Sequence, residues 1–321
     1  MEHPVRTALR VGCAAASAAV LAACGATANS GLPQLPAPVP ARPGNPGQSV
    51  NFHAGDVTIR NDDAWTLPLD SYDSAQNWRI TDAAVNKLAQ QCMAKQGLTT
   101  PAAFQLSGQR VLPLAAIYGV LTMSSARANG YRVLSGTGQT APSPPTAAAS
   151  ATAQERKVGH AYFGDPQHSH TGCRANAADK IGMQKAYDAF GLVQNLRVQA
   201  RAAAWSDPRV QRANAVWSSC MKAAGYTYPD PTAPTHDKAL LGRGLQTPPG
   251  AQLPPPSKAE KAAAVADVTC KRRGNYAVTV ALVTSAYQNL LIAQQSAGLQ
   301  QEKRVWRSTV ETARKIIASG R

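Results

Sequence analysis

Ser206-Asp207-Pro208-Arg209-Val210-Gln211-Arg212-Ala213-Asn214-Ala215-Val216-Trp217-Ser218-Ser219-Cys220-Met221-Lys222-Ala223-Ala224-Gly225 contains both ends of a helix. Ser206 reads as the cap residue, followed by an acid, Asp207, and by Pro208 in the first turn, where the missing N–H of Pro208 is an orphan anyway. Gly225 is the residue type that stops a helix by adopting a left-handed conformation. Between these ends, Ala213, Val216, Trp217, Cys220 and Ala224 fall on one side at helical spacing. The stretch predicts an amphipathic helix whose apolar side carries a cysteine in its last turn. Trp217, one turn before Cys220, reads as a core anchor.

The same reading extends in both directions. Downstream, Tyr226, Tyr228 and Pro229 form an extended exit into a Pro-rich loop over about 228–256. Ser257-Lys258-Ala259-Glu260 is a capping box, Ser257 bonding forward and Glu260 reaching back. It opens a helical stretch toward Ser319, with breaks expected near Gly274 and Gly298. There Tyr276, Val280, Val283, Tyr287 and Leu290 keep a 4-3-4-3 spacing, and Val310, Ala313 and Ile317 repeat it, as in a bundle helix or a coiled-coil seam. Upstream, a helical pattern runs from about Cys173 to Trp205, with Ile181, Phe190, Val193 and Leu196 as its larger apolar groups. Ser135 to Ala153, rich in Ser, Thr, Ala, Gly and Pro, reads as a disordered loop. Residues 123–129 suit a short helix closed by Gly130, preceded by a connection through Pro101 and Pro113. A helix over about Thr81 to Gln96, with Thr81 as N-cap and Gly97 after its end, brings Val85, Leu88 and Cys92 onto one face. Asp62 to Ser74, with Trp65, Leu67, Leu69 and Tyr72 around Pro68, reads as an apolar strap.

Two of these segments echo one another. Cys92-Met93-Ala94-Lys95-Gln96-Gly97 parallels Cys220-Met221-Lys222-Ala223-Ala224-Gly225, and each is followed, beyond a Pro-bearing loop, by a cysteine next to a basic residue, Cys173-Arg174 and Cys270-Lys271. Four cysteines beyond the N-terminus allow three pairings. The echo predicts Cys92–Cys173 and Cys220–Cys270, each closing a long loop. The expected fold is mainly α, a disulfide-tied helical bundle with Pro-rich loops over 51–319. It forms one domain or two related helical units, 51–205 and 206–319.

The N-terminus gives an expected location. Arg6 and Arg10 precede an uncharged run, Val11 to Ala23, that is shorter than the about 20 apolar residues a bilayer span needs. Its length suits a signal peptide over 1–23. The run ends in Leu21-Ala22-Ala23-Cys24, which resembles the lipobox of bacterial lipoproteins, and the resemblance implies cleavage before Cys24 and acylation of its thiol, as by palmitate. Two acyl chains anchor a protein stably, at about 0.8 kcal/mol per buried methylene. Residues 24–50, with Pro33, Pro36, Pro38, Pro40, Pro43 and Pro46, read as a tether. The expected location is the outer face of the cell membrane. No further segment reads as membrane-spanning.

The formal charge is +15. Losing residues 1–23 would remove two basic residues and one acid and leave +14. Anionic lipid or an anionic wall polymer is the plausible counter-charge. No basic run is long or aromatic-interleaved enough for nucleic acid.

The strap Leu67-Pro68-Leu69-Asp70-Ser71-Tyr72, the Cys92-Met93…Gly97 helix end, Tyr118-Gly119…Gly130-Tyr131, Asp207-Pro208-Arg209-Val210, Trp217-Ser218-Ser219-Cys220-Met221…Gly225-Tyr226 and Ala266-Asp267-Val268-Thr269-Cys270 occur in an order that resembles a family of secreted actinobacterial lipoproteins. The resemblance covers most of the chain beyond the tether. It implies export and the four-cysteine framework, and carries over no activity or site residue.

Candidate chemistry is sparse. His160, His168 and His170 lie close to Asp165 and Cys173, and a His-x-His pair can bind Zn²⁺. Gly164, Pro166 and Ser169 mark a polar loop there, however, and Cys173 is assigned to a disulfide, so no metal or other cofactor is expected. There is no Gly-x-Ser-x-Gly elbow and no phosphate-cradling glycine loop. Asp62, Asp63 and Asp70, the one acidic cluster near aromatics, suit turns or solvation of the strap. The expected function is a non-enzymatic accessory or binding lipoprotein of the cell envelope, with the membrane and an envelope protein or anionic wall polymer as partners and no small-molecule ligand assigned. The alternatives are an envelope hydrolase acting on peptidoglycan and the solute-binding component of a transporter. The second fits less well because strands and helices do not alternate.

Overall fold

The structure, a computed structural model, describes residues 48–72, 74–106, 114–132, 152–165, 170–242 and 255–319. Cys24, the tether up to residue 47, most of the 135–153 loop and residues 243–254 of the 228–256 loop lie outside the described residues. The described part of the latter holds a 3-10 turn, Ala233–His236, and a one-turn helix, Lys238–Leu241, where only a loop was expected.

The chain opens with a small antiparallel meander, β1 (Phe52–Ala54), β2 (Val57–Asn61) and β3 (Ala64–Thr66). The alternation of Val57 and Ile59 turns both inward, where they pack on Val278 and Leu282. This sheet was not foreseen. The strap itself is β3 followed by a 3-10 turn, Pro68–Ser71.

The rest is helical: α1 (Ala75–Lys95), α2 (Leu114–Tyr118), α3 (Met123–Asn129) and α4 (Ala153–Phe163). A two-residue hairpin, β4 (Gly164–Asp165) with β5 (His170–Thr171), leads to α5 (Cys173–Lys180), α6 (Met183–Ser206) and α7 (Pro208–Ala223). The chain ends in α8 (Lys238–Leu241), α9 (Lys258–Arg273), α10 (Tyr276–Gln294) and α11 (Ser296–Ala318). The fold is mainly α, as expected.

Helix α10 is the centre. Tyr276, Val280, Val283 and Tyr287, joined by Leu291 where Leu290 was expected, pack against α6 and α7, while its opposite side meets the meander and α9. By length and composition α10 could cross a membrane, contrary to the expectation that no further segment could. It is apolar all round because neighbours cover it all round. A second core joins α1, α4, α5, α6 and α11 around the fully buried Trp78, whose ring meets Phe190 edge-on at 5.0 Å and Trp306 at 4.6 Å. Contacts of α6 with α10 and α11, and of α1 with α11, cross the 205/206 position.

Several local expectations are corrected. Helix α1 begins at Ser74, whose side chain accepts the Asn77 N–H. Thr81 is instead a buried residue within the helix, its hydroxyl donating to the carbonyls of Asn77 and Trp78. Gly182, at φ +73°, divides the 173–205 stretch into α5 and α6. The last break falls at Gln295, and Gly298 lies inside α11, where a Cβ would come within 2.9 Å of Leu192. Val216, Ala224 and Ile317 are exposed rather than on apolar faces. Ser257 caps α9 as expected, but Glu260 is fully buried and accepts the Tyr131 N–H at 3.0 Å.

Candidate functional site

Asp207, expected as a first-turn acid behind a Ser206 cap, is itself the cap, since α6 runs through Ser206, and its turn shapes a cleft of about 970 Å³. Asp207 Oδ1 accepts the Arg209 N–H at 2.9 Å and Nε at 2.8 Å, and Oδ2 accepts Arg209 Nη2 at 2.6 Å and the Tyr287 hydroxyl at 3.1 Å. Burial pushes the Asp207 carboxyl up, but these donors outweigh it and hold the group below its ordinary value. The turn is thereby fixed to α10. Helix α6 enters it and α7 leaves it, so Arg201 and Trp205, one turn apart on α6, share the cleft with Gln211, Asn214 and Ser218 on one face of α7.

A third wall is the turn after α2. Lys271, in the last turn of α9, donates to the carbonyls of Tyr118 and Val120, both at 2.8 Å. It also pairs at 3.1 Å with Asp267 Oδ2, while Asp267 Oδ1 accepts Trp217 Nε1–H at 2.7 Å. Between the two carbonyls, Gly119 has φ +72°, and a Cβ there would lie 2.7 Å from the Pro231 carbonyl. The fourth wall, 229–236, is therefore pressed onto the turn. It is held by Ser218 Oγ donating to the Tyr228 carbonyl at 2.6 Å and by the Tyr228 hydroxyl donating to Asp237 at 2.7 Å. The Cys220–Cys270 bridge ties α7 to α9 beneath it.

The polar groups facing this space are unevenly occupied. Asn214 is only 6% exposed, and its Oδ1 has no hydrogen-bond partner among the described residues. The half-buried Arg201 likewise makes no hydrogen bond or ion pair among them. Asp230 gives Oδ1 to the N–H and hydroxyl of Thr232. The Trp205 ring lies 6.1 Å from that of Tyr118, which stacks on Trp65 at 5.0 Å. Beyond Ile117 and Arg201, a smaller hollow of about 330 Å³ runs between Trp65, Leu67 and Leu114. At its edge Arg197 pairs with Asp70 at 2.9 Å. An unsatisfied buried amide oxygen costs about 1–3 kcal/mol, so a partner that supplies a donor has a stated gain there.

The residues singled out from sequence are distributed elsewhere. The four cysteines form Cys92–Cys173 and Cys220–Cys270. His160 Nδ1 is 3.2 Å from Asp165 Oδ2, and Asp165 pairs through its backbone with His170. His168 lies outside the described residues, and among those described no three metal-binding side chains converge. Asp62 does not solvate the strap: it is buried and pairs with Arg272 at 2.6 Å. Arg201, Asn214, Asp230 and His236 were not foreseen. One signal was available: Gln211, Asn214 and Ser218 form a polar stripe at helical spacing in an Ala-rich helix. Compared with protein-family models, curated proteins and solved structures, the chain matches none.

Proposed function

We infer that this chain is a lipid-anchored binding lipoprotein on the outer face of the cell membrane, whose folded part holds a small polar ligand between α6, α7 and the 229–236 segment. The observation that carries the binding reading is the Asn214 oxygen, buried and without a donor among the described residues, on the wall of a cleft large enough for a ligand of ordinary size. Two disulfides support an oxidising compartment, and the Arg6–Cys24 pattern supports export and acylation there. The tether gives the cleft reach from the surface.

Two measurements test this. Metabolic labelling with palmitate, combined with detergent phase partition, is expected to place the wild type in the detergent phase and Cys24→Ser in the aqueous phase. Equal partition of the two overturns the anchor. Native mass spectrometry of the protein purified from its own cells is expected to show a retained small molecule that Asn214→Ala loses. A ligand-free wild type, indistinguishable from the folded variant, overturns the binding reading.

A further inference from the structure

We propose that the α6–α7 cleft recognises an acidic sugar, with Arg201 taking its carboxylate. The proposal rests on the binding reading above and narrows it to a class.

Four observations define what fits. Arg201 offers a guanidinium that makes no hydrogen bond or ion pair among the described residues, in a partly sheltered place, and a planar fork of N–H donors matches a carboxylate. Asn214 Oδ1, by contrast, needs a donor, which a bare oxyanion cannot supply and a hydroxyl can. Asp230 adds an acceptor: its Oδ1 is held by Thr232, and Oδ2 has no partner among the described residues. A carboxylate in the cleft also opposes an anion placed directly against it, so the ligand must put its charge at Arg201 and its hydroxyls toward Asn214 and Asp230. Finally, Trp205 offers a half-buried ring beside Arg201 on the same helix, a surface for the apolar face of a pyranose. One anionic end, several hydroxyls and one flat apolar face describe a uronic acid or a carboxylated amino sugar, the building units of acidic polysaccharides.

The experiment is calorimetric titration of the full-length protein with D-glucuronate, D-glucose, inorganic phosphate and the acetylated dipeptide Ala-Ala. Wild type is expected to bind glucuronate at least about tenfold more tightly than glucose, the span a charge-assisted bidentate contact commands. Arg201→Gln is expected to remove that preference by weakening glucuronate to the level of glucose, and Trp205→Leu to weaken both sugars. Because Arg201 makes no internal bond among the described residues, Arg201→Gln should keep the wild-type Tm and circular dichroism. Equal binding of both sugars, or preference for phosphate or the dipeptide, overturns the acidic-sugar assignment. So does binding of none of the four. In each of these cases the ligand retained in native mass spectrometry still decides the binding reading separately.

Discussion

Lys271 Nζ stands 3.1 Å from Asp267 Oδ2 with both side chains sealed from solvent, and the same ammonium holds the carbonyls on either side of Gly119. One cation thus connects α9, the turn after α2 and, through Asp267 and Trp217, helix α7. Lys271→Met removes the charge while keeping most of the volume. It leaves a buried carboxylate and two carbonyls without their donor. Breaking a buried pair from one side costs about 3–5 kcal/mol. For a chain of this size that lowers Tm by roughly 10 °C, measurable by circular dichroism melts. A change under about 2 °C would show that the pair adds little.

The same pair sets a pH dependence. Burial pushes the Asp267 carboxyl up from 3.8 to about 6, against the opposing pull of Lys271 and the Trp217 N–H. Between those values the folded chain binds a proton that the unfolded chain has released. This group's contribution to stability therefore falls as pH rises from about 4 through about 6. Burial moves Lys271 downward, so its contribution rises with pH on the way to the ordinary lysine value. In Lys271→Met, Asp267 loses its cation and its carboxyl moves higher still, extending the fall beyond 6. Both effects have one sign: the Tm gap between wild type and Lys271→Met is expected to widen from pH 4 to pH 8. Melts at pH 4, 6 and 8 measure it, and a gap that narrows contradicts the assignment.

Local chemistry explains what the sequence could reveal. Asp207-Pro208, Gly225, Ser257 and Gly130 act within one turn of themselves, so the starts and stops of α7, α9 and α3 were legible. The echoed Cys-Met helix ends led to the right bridges because each cysteine's helical setting is also local. The cleft depends on partners far apart in the chain. Asn214 is a surface-type residue on its own helix, and its burial comes from the packing of α7 against the rest of the chain. Glu260 has the spacing of a capping box, yet Tyr131 claims its carboxylate. Asp62 does sit in a turn, as its type suggests, but its burial against Arg272, 210 positions away, has no local signal. The β1–β3 meander did have a local signal, Val57 and Ile59 alternating after the turn at Gly55, but in strands this short it is carried by very few residues.

Gly119 and Gly225 separate backbone strain from close approach. Both have positive φ, +72° and +89°, where an L-residue costs about 1–2 kcal/mol. At Gly225 an added Cβ meets nothing within 4 Å, so Gly225→Ala is expected to show that cost alone. At Gly119 the Cβ would also press on the Pro231 carbonyl at 2.7 Å and on Lys271 Nζ at 3.1 Å, and backbone cannot yield as a flexible side chain does. Gly119→Ala is expected to destabilise more, and to loosen the 229–236 wall, seen as faster amide exchange there. Equal losses for the two variants would mean that the wall is not pressed against the turn.

The two bridges are expected to separate stability from site integrity. Cys92–Cys173 closes 81 positions and Cys220–Cys270 closes 50, and constraining loops of either size is worth about 4 kcal/mol in the chain-entropy model. Removing either by paired Cys→Ser substitution should therefore lower Tm by a similar amount, about 10 °C. Their surroundings differ. Cys92–Cys173 borders the core around Trp78, whereas Cys220 lies one turn beyond Trp217 and Cys270 directly precedes Lys271, whose ammonium holds the Gly119 turn. Loss of Cys220–Cys270 is expected to weaken ligand retention in the α6–α7 cleft several-fold, and loss of Cys92–Cys173 to leave it near wild type. Native mass spectrometry below the melting range of both variants measures this. Equal retention in the two would show that the cleft does not depend on the bridge beneath it.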